Sequence, residues 1–276
     1  MKTIVITGGT SGIGEALAIA YLNRGDKVIV VGPDPEKGKK YLRAAADNGH
    51  EGRAEFIAAD LSLVEENRRV IDRLNTSVKA IDVLVLCARY FRSNRAVTAE
   101  GFEHNFALYY LSRFLLSYGL AKRMESARTP VVLNIAGPGV GPQEIAWNDL
   151  GLERGYDGWA AMGQGGRLND LLGVSFAAKG FRTRYVLWFP GGTRTGFAGE
   201  FDRATAALVE RMKRSGQPVE TTVPPILRTL DDPPSEPLSA FIEGNRISLD
   251  LPSFDSSKAT RLQTLTHQIA QLSTDC

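Results

Sequence analysis

The chain has 276 residues, 43% of them hydrophobic, and a formal net charge of +2. That length and composition fit one large domain, or one domain with a small appendage, around a sizeable core. Acids and bases are interleaved, so no basic run suggests nucleic acid and no basic amphipathic helix suggests a membrane surface. No apolar stretch approaches the ~20 residues of a membrane-spanning helix. The first seven residues run directly into a glycine-rich loop, so no leader peptide is expected. Two cysteines, Cys87 and Cys276, make neither a disulfide framework nor a metal cluster. The expectation is a cytoplasmic protein acting on a small molecule.

In chain order, strands and helices alternate. "TIVITGG" (3–9) is a buried strand, and "SGIGEALAIAYLNRGD" (11–26) is a helix that stops at Gly25. "KVIVVG" (27–32) is a second strand, and a helix begins over 33–40. A third strand covers 54–62, a helix 64–78 and a fourth strand 81–88. A long helical segment follows over 98–124, then a fifth strand over 129–137. Residues 137–158 read as a loop or broken helix, 168–179 as a helix and 183–192 as a sixth strand. Residues 197–215 read as one more helix, 216–238 as a proline-rich irregular stretch and 238–251 as a late strand pair. A helix over 256–272 closes the chain, with Ala259, Leu262, Leu265, Ile269 and Leu272 on one face. Strands joined by helical crossovers predict an α/β, Rossmann-type, doubly wound parallel sheet of about seven strands, helices covering both faces. All 276 residues form one dinucleotide-binding domain in this reading, with 197–276 as a substrate-side extension.

"TGGTSGIG" spans Thr7 to Gly14, between the first strand and the first helix. There Gly8 permits the tight turn, Gly12 lets backbone approach a pyrophosphate, and Gly14 permits close helix–strand packing. Thr10, Ser11 and Ile13 complete the loop, and the helix N-terminus offers free N–H groups to phosphate.

This loop resembles that of the short-chain dehydrogenase/reductase family, T-G-x-x-x-G-x-G, and the resemblance extends from residue 2 to about 200. It implies that Asp60 and Leu61 flank an adenine, that Ala88 touches the dinucleotide with Arg89 in place of the family's Gly beside the nicotinamide ribose, and that Pro190, Gly191, Thr193 and Thr195 of "PGGTRT" lie along the nicotinamide and pyrophosphate. Within the family, "IAWNDLGLERGYDGWAAMGQGG" (145–166) is similar to the retinol-dehydrogenase-like members. After the second strand, Pro33 stands where relatives often carry Arg, followed by Asp34, Lys37 and Lys39. NADP(H) is favoured over NAD(H).

In that register the family's catalytic Tyr falls on Met162, its Lys on Gly166, its Ser on about Gly137 and its Asn on Tyr109. The N-N-A-G segment becomes Leu86–Arg89. No Tyr-x-x-x-Lys occurs in 140–190. Ketone reduction needs a proton donor for the developing alkoxide. Iminium reduction yields a neutral amine and needs chiefly positioning. Three glycines, Gly163, Gly165 and Gly166, stand where reactive side chains are expected.

Asp157 and Tyr109 are the candidate catalytic groups, and Asp157 also reads as a helix N-cap. Trp159, Met162, Gly137 and Arg89 are candidate pocket residues, with Asp170 a polar neighbour on the same helix. The reading is an atypical oxidoreductase of natural-product biosynthesis that reduces an iminium. It is similar in its missing pair to fungal indole-alkaloid members that also guide a Diels–Alder cyclisation. Those carry Pro-Asp-Pro-Gly-Trp before the lost Tyr and an Arg. Here "YDGW" lacks both prolines, and no Arg is legible near Gly137. A non-catalytic dinucleotide sensor and a redox-neutral cyclase or isomerase are the alternatives. The resemblance also implies a homodimer or homotetramer formed through the long helices after the fourth and fifth strands.

Overall fold

The computed structural model describes residues 1–141 and 144–272. Its main sheet has eight strands in the order β10-β9-β7-β6-β4-β1-β2-β3. These are β1 (Thr3–Thr7), β2 (Lys27–Gly32), β3 (Ala54–Ala58), β4 (Val83–Leu86), β6 (Val131–Ile135), β7 (Arg184–Phe189), β9 (Leu238–Ile242) and β10 (Asn245–Arg246). All neighbours pair in parallel except β10, which returns antiparallel along β9. Chain order reverses between β1 and β4, and the carboxyl ends of strands at such a switch point form a crevice. The central strands are apolar throughout ("IVI", "VIVV", "VLVL"), as burial on both faces requires.

Helices α1 (Gly12–Asn23), α2 (Pro35–Asp47), α3 (Val64–Ser77), α5 (Ser112–Gly119) and α7 (Gly158–Ala177) cover the faces. The short helix α4 (His104–Phe106) continues into α5 through a π-helical turn, Ala107–Leu111, and α6 (Ala121–Glu125) follows. Two apolar clusters result, one on each side of the sheet.

Three expectations need correction. Helix α7 begins at Gly158, ten residues before the expected start, so the glycine run lies inside it. Its start is held by Asp157, whose carboxylate accepts from Ala160 N at 2.8 Å. The expected helix over 197–215 is split: β8 (Gly199–Glu200) pairs with β5 (Phe91–Arg92), and α8 then covers Arg203–Ser215. The proline-rich stretch forms α9 (Val219–Asp231) despite Pro224 and Pro225 inside it. The two missing N–H groups are outweighed by burial of Val223, Ile226 and Leu230.

The last helix, α10 (Ser256–Leu272), lies across the helices expected to dimerise. Tyr110 meets Thr266 at 2.6 Å, Gln263 donates to the Tyr118 hydroxyl at 3.1 Å, and His267 stacks edge-on against Phe114. Those aromatic side chains are therefore engaged within the chain. On α10, Ala259 and Leu262 are buried as expected, and Thr266 and Ala270 continue the face. The Leu272 side chain and Cys276 lie outside the described residues. No helix among the described residues is long and apolar enough to cross a membrane.

Candidate functional site

Thr7 ends β1 and fastens it to the tail of β4. Its hydroxyl donates to Val85 O at 3.3 Å and accepts from the N–H groups of Cys87 and Ala88 at 3.1 and 3.2 Å. The glycine loop is thereby pressed against the β4 tail: a Cβ on Gly8 would stand 2.8 Å from Ala88 Cα. Gly12, at φ +56°, would place a Cβ 3.0 Å from Thr195 Cγ2, and a Cβ on Gly14 would stand 2.4 Å from Gly8 O. Ser11 caps α1 by position without a side-chain hydrogen bond. The first-turn amides are thus left for another acceptor, and the macrodipole favours an anion there.

The other residues expected on the cofactor side follow the carboxyl ends of the strands. Thr195 reaches it from beyond β7, while Pro190 and Gly191 leave that strand with Gly191 at φ +73°. The Thr193 hydroxyl lies 3.4 Å from that of Thr222 on α9. Asp60 holds the exit of β3 by accepting from Ser62 N and Oγ at 3.0 and 2.8 Å, and Leu61 is buried. Pro33 leads out of β2 to Asp34, whose carboxylate accepts from Glu36 N and Lys37 N at 2.9 and 3.2 Å. Asp34 thus caps α2. Thr10 shares a groove of about 310 Å³ with Lys37 and Lys40.

On α7, Gly165 and Gly166 lie against the π-helical turn and Gly137, and Met162 is half-buried one turn earlier. The ring of Tyr109, on the π-helical turn, lies against Gly165: a Cβ there would stand 2.5 Å from Tyr109 Cδ1. A Cβ on Gly166 would meet only Gly137 O, at 3.7 Å. Gly137 O itself accepts from Arg167 Nη2 at 2.5 Å. An arginine therefore does stand beside Gly137, contributed by α7 rather than by the nearby loop.

Beneath Tyr109 lies a group the sequence reading missed. The Arg113 guanidinium is buried, 4.4 Å from the Tyr109 ring centroid. It donates to Asn134 Oδ1, to Ile135 O at 2.8 Å and to Ala88 O at 3.1 Å. Desolvation lowers its pKa from the ordinary arginine value. Asn134 Nδ2 continues the chain of bonds to Asn169 Oδ1 and the Tyr185 hydroxyl, at 2.9 and 3.0 Å. Asn169 in turn donates to Tyr109 O and Gly165 O, at 2.7 and 2.8 Å. A buried polar network thus ties the π-helical turn to α7 and to the ends of β4 and β6. π-Helical turns inside helices occur frequently at functional sites.

The remaining wall is aromatic. Trp159 packs on Phe91 with ring centroids 4.7 Å apart, and Phe197 and Phe201 lie 6.0 and 5.9 Å from Phe91. The β5–β8 pairing gathers these rings. Arg89, expected in the pocket, is exposed and lies over Phe197, 4.5 Å from its centroid. Asp157 is exposed and employed as the α7 cap. Tyr156 is pinned elsewhere: its hydroxyl accepts from Asn105 Nδ2 at 2.7 Å. Among the described residues no cluster could hold a metal ion.

Residues 2–143 match the short chain dehydrogenase family. The chain belongs to that family. A short-chain dehydrogenase/reductase named prx1, from Penicillium rubens, is 28% identical over 212 residues, covering 74% of this chain and 61% of its own length. Retinol dehydrogenase 13 of Mus musculus is 27% identical over 161 residues, 58% of this chain and 48% of its own. The chain therefore spans about half to three-fifths of the length of these relatives. A solved structure from Mycobacterium Paratuberculosis, 25% identical, superposes with TM-score 0.71 over 98% of this chain and 94% of its own. A short-chain dehydrogenase/reductase from Burkholderia multivorans with bound NADP, 20% identical, shares the fold with TM-score 0.63 over 89% of this chain and 98% of its own. The chain accordingly has the fold of this family, with the family's glycine-rich loop between β1 and α1.

The family's Tyr-x-x-x-Lys spacing occurs once in the chain, as Tyr118 to Lys122. That Tyr118 donates to Ser175 Oγ at 3.0 Å under α10. Ser175 is 13 residues beyond Met162 on α7, about 20 Å along the helix. Tyr118 is half-buried between helices and Lys122 is exposed, so the two make no site on α7 beside Met162.

Proposed function

We propose that this short-chain dehydrogenase is an NADP(H)-dependent reductase of an iminium or similarly activated small molecule in natural-product biosynthesis, working without a Tyr-x-x-x-Lys pair in the site. The observation that carries this reading is the stretch of α7 where the family's pair is expected. It consists of Met162, Gly165 and Gly166, none of them titratable, with Gly165 against Tyr109 and Gly166 beside Gly137.

A bound nicotinamide dinucleotide supplies hydride. The glycine loop and the α1 amides hold its pyrophosphate, and Thr195 closes over Gly12. Lys37 beside Thr10, with Asp34 committed to its own helix, favours a phosphorylated ribose over a bare one. The half-buried Trp159, Phe197 and Phe201 rings, seated on the buried Phe91, provide a surface suited to a planar or cationic substrate. Hydride addition to C=N⁺ gives a neutral amine and consumes no proton, so an apolar wall suffices. A shaped aromatic pocket is also what pocket-guided cyclisation would use. Asp157, as a cap, orients the start of α7 rather than reacting.

A second reading is favoured by Tyr109. Its hydroxyl stands on the π-helical turn above the Arg113 cation, and it could protonate an alkoxide in carbonyl reduction. The test is NADPH consumption, followed by loss of reduced-nicotinamide absorbance, with cyclic imines, iminium ions and matched ketones. Turnover of iminium ions that survives Tyr109→Phe supports the first reading. Turnover of ketones alone, abolished by Tyr109→Phe, overturns it. Tight NADPH binding with no turnover of any substrate would point to a sensor or a redox-neutral enzyme.

A further inference from the structure

Around α7 from the wall that faces Tyr109 there is a second cavity of about 410 Å³. Arg167 and Leu171 line it from α7, Ile145 and Trp147 from the preceding loop, and Leu251 and Ser253 from the segment before α10. None of Tyr109, Met162, Trp159 or the glycine-loop residues reaches it. Its middle is apolar, and one face of Trp147 is covered by Arg261, 4.3 Å from the ring centroid.

Its deep end is polar and incompletely paired. The Arg167 side chain is 9% exposed and pairs with Asp170 at 3.0 Å, directly behind it. Asp170 Oδ2 also accepts from Gly139 N at 3.1 Å. Arg167 Nε is buried with no hydrogen-bond partner; Ser253 Oγ and Asp170 Oδ1 close no bond of full geometry, though the Ser253 hydroxyl lies by the Asp170 carboxylate and helps to hold its charge. Buried polar atoms without partners are rare, because each gives up its hydration for nothing in return. Two of these three belong to residues that line the cavity, and both can donate. Lys258 adds a second cation at the mouth, against Glu144 as the one opposing charge in the lining. Burial pushes the Asp170 carboxyl up to about 7. The negative charge behind Arg167 is therefore partial near neutrality.

Two donors at the closed end, a lysine at the mouth and an apolar middle of ring size define the complementary molecule. We propose that this cavity is a binding site, separate from the dinucleotide site, for a small organic monocarboxylate with an aromatic or compact aliphatic body. The carboxylate accepts from Arg167 Nε and Ser253 Oγ, and the body packs between Trp147, Leu171 and Leu251. Arginine suits this role because its fixed fork can serve Asp170, Gly137 O and a further acceptor at once.

The test uses benzoate and phenylacetate as probes, with benzamide and toluene as neutral and apolar controls. Each is titrated into the full chain by tryptophan fluorescence and isothermal calorimetry, with and without saturating NADPH. Saturable binding of the carboxylates, at least tenfold tighter than benzamide and undisturbed by NADPH, is expected. Ser253→Ala and Lys258→Met lie on the surface segment and should fold. Each should weaken benzoate severalfold without changing NADPH affinity, and Trp147→Phe should remove the fluorescence response. Absence of saturable carboxylate binding overturns the proposal. So does equal binding of benzamide, or benzoate affinity untouched by both variants, or displacement of benzoate by NADPH.

Discussion

Gly165 and Gly166 are adjacent in one helix, yet the structure gives them opposite requirements. Alanine is favoured over glycine in a helix interior by about 1 kcal/mol. At Gly166 the new Cβ meets only Gly137 O at 3.7 Å, an ordinary contact. Gly166→Ala should therefore gain about 1 kcal/mol, which raises Tm by about 2–4 °C in a domain of this order of size. At Gly165 the same methyl group would stand 2.5 and 3.2 Å from Tyr109 Cδ1 and Cε1. That ring cannot retreat freely, because Arg113 stacks on it and Asn169 holds its backbone carbonyl. Overpacking costs about 1–3 kcal/mol, so Gly165→Ala should lose up to about 2 kcal/mol after the propensity gain.

The assay is urea denaturation of the two variants and of the Tyr109→Ala/Gly165→Ala pair. In the Tyr109→Ala background the clash is gone, so Gly165→Ala should stabilise by about 1 kcal/mol. The double-mutant cycle should thus report a coupling of about 1–3 kcal/mol between residues 109 and 165. Equal stabilisation by both alanines, with no coupling to Tyr109, would refute the placement of that ring and with it the wall described above.

Asp157→Ala should cost about 1 kcal/mol of stability through the lost cap, while Asp157→Asn keeps both cap and turnover; an Asn variant that folds normally but loses kcat would return the carboxylate to the chemistry. Lys37→Ala should weaken NADPH about tenfold, equivalent to ~1.4 kcal/mol, and leave NADH unchanged in a fluorescence titration. Asp170 gives a pH signature. Its folded pKa, raised by burial to about 7, exceeds the unfolded value of about 3.9. Between those limits the folded chain binds more protons, so this group's contribution falls as pH rises from about 4 to 7 and levels off above. Denaturant midpoints at pH 5 and pH 8 should therefore converge in Asp170→Asn relative to the unsubstituted protein.

The glycine loop was legible in the sequence because three glycines at fixed spacing stand between an apolar strand and a helix. The contacts that require them are only partly local: Gly14 approaches Gly8 O, but Gly8 is pressed against Ala88 and Gly12 against Thr195. The start of α7 was not legible, because what holds it is tertiary. Low intrinsic propensity across Gly163, Gly165 and Gly166 is offset by the Asp157 cap and by the Tyr109 ring. Gln164 adds bonds to Ala146 N and Leu150 O at 2.8 and 3.0 Å. The aromatic wall joins Phe91 to Phe197 and Phe201, residues more than a hundred positions apart, so only the β5–β8 pairing reveals it. Arg113 did leave a trace. It is the one charge in "FALYYLSRFLLSYGLA" and has no acid three or four residues away. An unpaired arginine in an apolar helix must find acceptors elsewhere, and it finds them at the carboxyl ends of β4 and β6. The buried cation beside Tyr109 therefore comes from α5, while α7 contributes the absence of side chains: Gly165 accommodates the Tyr109 ring above Arg113, and Gly166 puts no side chain beside Gly137 O.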